Sequence, residues 1–456
     1  MITFSVALVC LLLGYLIYGA LVERVFGARA DAPVPCDTRR DGIDFVPLPT
    51  WKVFLIQFLD IAGTGPIFGA IMGILFGPAA YLWIVLGCIF AGGVHDYLCG
   101  MISIRLGGEE LPEMVGDELG RVMRLAMRGL ALILLVMVGS VFVITPAALL
   151  EHLVEPHGWW FSANFWIVLI FLYFVMATLL PIDKLIARAY PLFGIALLVM
   201  AVGVGFGIYT EAGYTPELTD GLFVNHHPGN LHPNHLPVFP MLCVTIACGA
   251  ISGFHGTQSP LMARCLKNER YGRPVFYGAM ILEGVVALVW AAAAIKFADS
   301  LPGEGTAYEK LMAMGNPSVV VKTICTSWMG TVGAILAVLG VVAAPITSGD
   351  TAFRSARLIA ADFLHLSQDT FWHRMSLSLP LFIAASLVML LDFYVLWRYF
   401  AWFNQTMSAI MLWAATVWLY RQGRCYWIAL VPAVFMTVVS VLYILVAPEG
   451  FHLDIL

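Results

Sequence analysis

The sequence has few charged residues for its length. Of its 456 residues only 12% are Asp, Glu, Lys or Arg, whereas 61% are hydrophobic. Soluble domains are about one quarter charged, so this chain cannot cover a water-facing surface of the required area. A soluble enzyme, a disordered protein and a nucleic-acid binder are therefore excluded. The apolar stretches are long and continuous, which also excludes a β-barrel and leaves an all-α polytopic membrane protein.

The sequence also has no disulfide pattern, a small net charge and no recognisable catalytic motif. The nine cysteines include no CxxC pair, and most lie inside apolar stretches, as small buried hydrophobes do. The net charge of −5 is too small to indicate a polyanionic partner. No HExxH, GxSxG or twin-aspartate motif occurs, which argues against an intramembrane enzyme.

The apolar stretches predict twelve membrane-spanning helices, because a helix needs about 20 apolar residues to cross a bilayer. They cover residues 2–22, 51–76, 78–104, 128–153, 161–181, 187–210, 237–260, 274–298, 328–353, 376–393, 395–420 and 425–447. The first stretch lacks the basic segment that precedes a signal peptide's apolar run. We therefore interpret it as a spanning helix.

The basic residues predict the orientation. Twenty of the 24 lysines and arginines fall in alternate connections, beginning with the one after the first helix. Cytoplasmic loops are the ones enriched in Lys and Arg, so both termini are expected to face outward. The opposite side holds only four basic residues: Lys296, Lys310, Lys322 and Arg398.

Two predicted helices are interrupted in the middle. The first broken helix, 51–76, reads IAGTGP from Ile61 to Pro66, and the second, 237–260, reads ACGAISGFHG from Ala247 to Gly256. Gly and Pro both weaken a helical ladder. The breaks are five helices apart, so they occupy matching places in two inverted repeats, which is typical of a secondary transporter's binding site. The alternative is that the glycines only allow close helix packing.

This pattern divides the chain into five parts. An additional N-terminal helix and a cytoplasmic loop precede the first five-helix repeat, and an outward His/Pro-rich loop separates it from the second, inverted repeat. An additional helix ends the chain. The predicted boundaries are 1–50, 51–210, 211–236, 237–420 and 421–456.

Several long motifs occur in order along the chain. They are residues 58–96 (FLDIAGTGPIFGAIMGILFGPAAYLWIVLGCIFAGGVHD), 41–47 (DGIDFVP), 245–255 (TIACGAISGFH), 347–357 (TSGDTAFRSAR) and the pair at 404–405. The sequence thereby resembles the carbon starvation protein A family. The resemblance implies a bacterial inner-membrane importer of peptides or pyruvate. It also implies the leucine-transporter-type five-plus-five inverted repeat of the amino acid–polyamine–organocation transporters. Longer members of the family carry other residues at three places beside the predicted site: Ile56-Gln57, Leu59-Asp60 and residues 256–260. The resemblance therefore does not fix the substrate.

A polar cluster at the two breaks is the predicted substrate site. Half-helix ends attract anions, so this cluster suits a small carboxylate such as pyruvate or a peptide C-terminus. A lone membrane histidine is otherwise a structural hydrogen-bond donor. The predicted residues are Gly63, Thr64, Gly65, Ser252, Gly253, His255, Thr257, Gln258 and Gln405, with Asn404 beside the last.

Hydroxyl and carboxylate oxygens in the predicted ninth helix suggest a site for a coupling ion. Thr347, Ser348 and Asp350 carry ligands that suit Na⁺, and the resemblance implies that this helix faces the carbonyls near Ala62 and Gly65. The alternatives are that the hydroxyls only bond to their own helix, or that Asp350 carries a proton.

Further ionisable residues lie at membrane depth, where a charge is costly and therefore a functional candidate. Asp60, Asp96 and Glu283 are candidate proton carriers. His95 is another, although adjacent helical residues diverge by about 100°, so we expect no His95–Asp96 pair. The alternative role for Asp96 is to cap a helix or to pair with a basic loop residue. The alternative role for Glu283 is a hydrogen bond to the backbone at the second break.

Arg354 and Arg357 follow Asp350 on one helix face at i+4 and i+7. An Asp350–Arg354 pair is either structural or an inner gate that breaks when the site opens inward. On the outward side, four histidines lie between residues 225 and 235. Their spacing matches no known metal site, and no metal ligand is assigned.

These observations predict a secondary active importer of small carboxylates or short peptides, coupled to H⁺ or Na⁺. The alternative is a channel, which conducts without accumulating its solute. No cofactor is expected other than Na⁺ as a coupling ion. The expected partners are a small-molecule substrate and the lipid bilayer, and the oligomeric state is open.

Overall fold

The described part of the chain is built from helices. The computed structural model describes residues 1–42, 44–153, 158–179, 182–222, 225–226, 237–368, 370–391 and 393–453, and the regular elements within these ranges are all helical. The helices of seven residues or more are α1 (Ile2–Phe26), α2 (Thr50–Ile61), α3 (Thr64–Gly73), α4 (Ala79–Arg105), α5 (Leu111–Leu119), α6 (Arg121–Leu153), α7 (Ala163–Leu179), α8 (Ile182–Thr210), α9 (Val238–Thr245), α10 (Gly253–Ala263), α11 (Gly278–Ser300), α12 (Ala307–Ala313), α13 (Pro317–Leu364), α14 (Phe371–Val388), α15 (Phe393–Arg421) and α16 (Trp427–Val446).

Many of these helices are long enough to cross a membrane. Within the described ranges, eight are sufficiently long and apolar, or nine when the bent pair α2 and α3 counts as one span. The apolar part of α7, Ala163–Ala177, is shorter. The all-α polytopic class is therefore confirmed, and the number of twelve spans stays a prediction.

The molecule places apolar side chains on the outside and polar ones inside. On α1, one face exposes Ile2, Val6, Val9 and Leu13, while Phe4 and other residues of the opposite face are buried. Exposed apolar residues that recur three or four positions apart form a helix face suited to lipid. The polar and charged residues at membrane depth are instead buried among the helices, which is where the bilayer tolerates them.

Both predicted helix breaks are confirmed. The first broken helix consists of α2 and α3, which meet at Ala62 and Gly63 with a bend of 45°. Ala62 has ψ 43° and Gly63 has ψ −147°, so neither continues the helix. The second broken helix consists of α9 and α10, with the non-helical residues 246–252 between them.

The structure also contains helical segments that the hydropathy pattern does not predict. The short helices α5 and α12 lie in connections, and α13 begins at Pro317, 11 residues before the predicted start. Pro317 occupies the first turn, where its missing N–H costs nothing, and Asn316 accepts a hydrogen bond from the backbone N–H of Ser318. Gly330, with φ 58°, kinks this helix. The helices α5 and α12 and the added first part of α13 are too short or too polar for the hydropathy pattern to predict them as membrane spans.

Candidate functional site

The two breaks lie in direct contact. A Cβ placed on Gly65 would lie 2.6 Å from Cys248 Sγ, and a Cβ placed on Gly249 would lie 3.6 Å from the Cα of Pro66. A side chain at Gly65 would therefore force the two broken helices apart. The glycines serve close packing, as the alternative interpretation proposed, and they also accompany the breaks themselves.

Side chains of neighbouring helices satisfy the carbonyls that unwinding releases in the second broken helix. Trp83 Nε1 donates to the Ile246 carbonyl at 3.0 Å, and Cys88 Sγ donates to Gly249 at 3.1 Å. Gln405 Nε2 donates to Cys243 at 2.9 Å. Non-helical backbone at membrane depth requires such internal partners, so α4 and α15 together hold the unwound segment in place.

Four ionisable side chains form a continuous chain across three helices. Glu283 Oε2 of α11 lies 3.4 Å from His255 Nε2, and His255 Nδ1 lies 3.0 Å from Asp96 Oδ2. The other carboxylate oxygen of Asp96 lies 2.7 Å from His95 Nδ1. All four side chains are completely buried. We call Glu283, His255, Asp96 and His95 the acid–histidine chain.

The prediction that His95 and Asp96 do not pair is wrong. The Cα–Cβ bonds of adjacent helical residues diverge, but rotation about the side-chain bonds brings Nδ1 and a carboxylate oxygen within hydrogen-bonding distance. Burial favours this arrangement, because no water is available to satisfy either group. Asp96 also contacts His255 of α10, a partner that sequence spacing alone does not reveal.

The N-terminus of α10 is capped by a side chain of α15. Asn404 Oδ1 accepts hydrogen bonds from Ser252 Oγ at 2.8 Å and from the backbone N–H of Phe254 at 2.9 Å. Further along, Thr257 Oγ1 donates to the Phe254 carbonyl and accepts from Gln258 Nε2 at 2.8 Å. An amide oxygen thus occupies the position at which the sequence predicts an anionic substrate group.

The residues predicted to bind substrate separate into two groups. Ser252 contacts α15, whereas His255, three residues later, contacts α4 and α11 as part of the acid–histidine chain. Thr64 at the start of α3 is buried, and its hydroxyl has no hydrogen-bond partner among the described residues.

Ser348 of α13 lies against the first break. Its Oγ is 3.1 Å from the Leu59 carbonyl and 3.0 Å from the Ala344 carbonyl of its own helix. A Cβ on Gly63 would lie 3.3 Å from the same Oγ. Thr347 Oγ1 bonds to its own helix, at 2.7 Å from the Ala344 carbonyl. One hydroxyl therefore reaches across to α2, while the other follows the helix-bonding alternative.

A second acidic group lies beside this contact. Asp60 is completely buried and accepts a hydrogen bond from Thr351 Oγ1 at 3.3 Å, and Asp350 of α13 is also completely buried. The hydroxyl, carboxylate and carbonyl oxygens here belong to the class of ligands that Na⁺ takes. Their chemistry therefore fits a sodium ion.

On the predicted cytoplasmic side, the segment before α2 is tied to α13 and α10. Arg354 Nη1 lies 3.7 Å from Asp44 Oδ1, and Arg354 Nη2 donates to the Ala177 carbonyl at 3.1 Å. Arg357 donates to Gln368 Oε1. The guanidinium of Arg264 stacks on the Phe45 ring, 5.0 Å from its centroid.

Arg264 makes a buried ion pair in the same region. Its Nη2 lies 2.8 Å from Glu110 Oε1, and its Nε donates to the Gly108 carbonyl at 2.9 Å. Burial raises the pKa of the Glu110 carboxyl to about 7, although Arg264 opposes the shift. Asp44, Glu110 and Arg264 are not among the candidate residues that the sequence predicts. Asp44 is the second aspartate of the DGIDFVP motif, and this motif was the signal available for it.

Most of the histidine-rich loop lies outside the described residues, including His227, His232 and His235. His226 stacks on Tyr308, with ring centroids 4.8 Å apart. Within the described ranges no group of three or more His, Cys, Asp or Glu side chains is placed to hold a metal ion.

Comparison of the sequence with known families gives one match along nearly the whole chain. The family described as carbon starvation protein CstA matches residues 1–159, 147–302 and 298–442. An uncharacterized membrane protein of Haemophilus influenzae is 43% identical, and the match covers 66% of this chain and 92% of the relative.

More distant relatives carry transporter names. The peptide transporter CstA of Bacillus subtilis is 28% identical over 65% of this chain and 59% of its own length. The pyruvate/proton symporter BtsT of Escherichia coli is 27% identical over 65% of this chain and 50% of its own length. The chain thus spans about half the length of these named relatives.

Solved structures share the fold. MhsT, solved with L-phenylalanine, aligns with a TM-score of 0.63 over 86% of this chain and 99% of its own, at 14% identity. A manganese transporter of Eremococcus coleocola aligns with a TM-score of 0.53 over 89% of this chain and 90% of its own, at 13% identity. The leucine-transporter-type fold is confirmed, and the chain belongs to the carbon starvation protein CstA family of membrane transporters, not to an enzyme family.

Proposed function

We propose that this protein is a proton-coupled secondary active importer of small carboxylates such as pyruvate, or of short peptides, in a bacterial inner membrane. One observation carries the proposal: four completely buried ionisable groups form the acid–histidine chain beside a helix break. Charged groups at membrane depth are costly, and chains of acidic and histidine side chains serve as proton relays.

The position of His255 links the proton to the broken helix. It lies in the first turn of α10, while its two acidic partners Asp96 and Glu283 belong to α4 and α11. Gain or loss of a proton changes how strongly α10 is held against these two helices. Because α10 follows the break directly, its attachment is suited to control whether the site faces outward or inward.

The other side of the α10 N-terminus supplies the proposed substrate contacts. Ser252 Oγ and the backbone N–H of Phe254 already donate to the amide oxygen of Asn404. A carboxylate oxygen accepts the same two hydrogen bonds and adds a favourable interaction with the helix dipole. We therefore infer that substrate displaces Asn404 and that Thr64 supplies a further hydroxyl.

Sodium is the second candidate for the coupling ion. Ser348 Oγ bridges toward the Leu59 carbonyl beside the first break, and Asp60 and Asp350 lie nearby. A sodium ion here would tie α13 to α2. If sodium drives transport, NaCl raises the unfolding temperature of the purified protein more than choline chloride does, and Ser348→Ala abolishes the difference. A sodium-dependent rise in unfolding temperature that persists in Ser348→Ala would contradict a sodium site at Ser348.

The cytoplasmic contacts supply the proposed inner gate. Asp44 precedes the first broken helix, and its ion pair with Arg354 holds that segment against α13. Arg357 lies one turn further along α13 and contacts Gln368. In the proposed cycle these contacts break when the site opens inward.

Reconstitution into liposomes tests the proposed function. With an alkaline interior, the protein is expected to accumulate labelled pyruvate or labelled dipeptide above the external concentration, and a protonophore is expected to abolish accumulation. Equilibration without accumulation, under both pH and sodium gradients and across a panel of small acids and dipeptides, would exclude a coupled importer. Steady currents without accumulation would favour the channel.

A further inference from the structure

A cavity of about 390 Å³ lies outside the site at the breaks. Its walls come from the end of the first broken helix, the α12–α13 connection and the start of α15. Thr245, the last residue of α9 before the second break, also lines it. It therefore adjoins the broken segment on the side that the charge bias predicts to face outward. Its principal lining residues are Ile71, Phe76, Met312, Pro317, Trp397 and Arg398.

The lining combines apolar walls with one guanidinium. Isoleucine, phenylalanine, methionine, proline and tryptophan side chains favour an apolar ligand group. Among the described cavity-lining residues, Arg398 is the only one with a charged side chain. It is also one of just four basic residues on the predicted outward side. An arginine beside apolar walls recognises a carboxylate that carries an apolar group.

The ion pair that Arg398 makes leaves room for a ligand. Its Nε lies 3.5 Å from Glu449 Oε2, which is beyond a good hydrogen bond, and one third of its side chain is exposed. Glu449 is nearly buried and is held by the hydroxyl of Tyr443, and its carbonyl accepts from the hydroxyl of Tyr399 at 3.2 Å. Glu449 is therefore fixed, while Arg398 keeps donors available for the cavity.

We propose that this cavity is a second, outer binding site for short peptides that have a free C-terminal carboxylate and an apolar side chain. Arg398 binds the carboxylate, and the apolar walls take the side chain. A volume of about 390 Å³ lies within the range of small-molecule sites, about 300–1,000 Å³, and greatly exceeds what a three-carbon acid fills. The inference rests on the proposed function for its substrate class and favours peptide over pyruvate.

Protection of an engineered cysteine reports occupancy of this cavity directly. Met312 lines the cavity and is half-buried, and Cys425 is the exposed native cysteine. Met312→Cys is made in a Cys425→Ser background, and its alkylation by a maleimide is timed in detergent, with Cys425→Ser alone as the labelling baseline. Alanyl-phenylalanine is expected to slow the alkylation. Alanyl-phenylalanine amide, which lacks the free carboxylate, is not expected to slow it.

Substitutions at the two residues of the ion pair, Arg398 and Glu449, are expected to change the half-protecting peptide concentration in opposite directions. Arg398→Gln is expected to raise the alanyl-phenylalanine concentration for half-protection by about 10- to 100-fold, since a charge-assisted hydrogen bond is lost. Arg398→Lys keeps most of the protection and controls for misfolding. Glu449→Gln lowers the half-protecting concentration, because the competing carboxylate is removed.

Protection by the acid and the amide alike, protection that survives Arg398→Gln, or no protection at all would overturn the outer site. The readout is binding and needs no transport. Arg398-dependent protection in a protein that accumulates nothing in liposomes would keep the outer site and reject the importer, so the two failures are distinguishable.

Discussion

Glu283 has the most narrowly defined role among the proposed proton carriers. It ends the acid–histidine chain on α11, where it contacts His255 at 3.4 Å. Glu283→Gln keeps the shape of the side chain but cannot release a proton. We expect gradient-driven accumulation to fall to passive equilibration, while exchange of labelled for unlabelled substrate continues. Glu304→Gln, at an exposed position on the side predicted to face outward, is the matched control. Full accumulation by Glu283→Gln would show that Glu283 carries no proton.

The free energy of unfolding is expected to depend on pH through the carboxyl group of Glu110. Burial raises the pKa of its carboxyl from 4.5 to about 7 in the folded protein. Between these values the folded state binds more protons than the unfolded state, so the free energy of unfolding falls as pH rises from about 4.5 to about 7. Glu110→Gln cannot titrate, and its melting temperature should fall less over this range. Parallel melting curves for wild type and variant would contradict this.

The residues of the acid–histidine chain were predictable from the sequence as candidates, but their contacts were not. Asp96, His255 and Glu283 stand out because charge is costly inside a bilayer. That they form one chain depends on how α4, α10 and α11 pack, which no residue spacing encodes. The capping of Phe254 by Asn404 is likewise a tertiary contact between distant segments.

At the scale of elements, the contact between the two broken helices predicts a steric test. A Cβ on Gly65 would lie 2.6 Å from Cys248 Sγ, so Gly65→Ala is expected to lower the free energy of unfolding by about 1–3 kcal/mol through overpacking. Gly129→Ala, which meets nothing within 4 Å in α6, should be neutral or stabilising. Thermal unfolding of both variants measures the difference.

A second substitution separates overpacking from backbone effects. Cys248→Gly removes both atoms, Sγ and Cβ, that the added methyl group at Gly65 would meet. The double variant Gly65→Ala, Cys248→Gly should therefore lose less stability than the sum of the single variants. Additive losses would place the cost of Gly65→Ala elsewhere, for example in the conformation of the break.

The breaks themselves were predictable, because Gly and Pro act on the local backbone. The structure puts them at Ala62–Gly63 and at residues 246–252, within the predicted motifs. The short helices α5 and α12 were not predictable from hydropathy. Their lengths of nine and seven residues are below what a bilayer crossing requires. Thr306 and Glu309 form a capping box at the start of α12, whereas α5 has a proline in its first turn and ends before Gly120.

For the whole molecule, the charge bias predicts the orientation. Cys425 lies in the basic connection after α15 and is exposed. A membrane-impermeant maleimide should label it in inverted vesicles and not in intact cells. Glu304→Cys in a Cys425→Ser background is the matched control, and it should be labelled in intact cells. The reverse pattern would invert the predicted topology.

Movement of protons together with substrate is the decisive measurement for coupling through the acid–histidine chain. Liposomes containing the protein and an internal pH dye are prepared with equal pH on both sides, and a dipeptide or pyruvate is added outside. With the wild-type protein, we expect the interior to acidify as labelled substrate enters. We expect no acidification with Glu283→Gln or in protein-free liposomes. Entry of labelled substrate at an unchanged internal pH would contradict proton coupling through the acid–histidine chain.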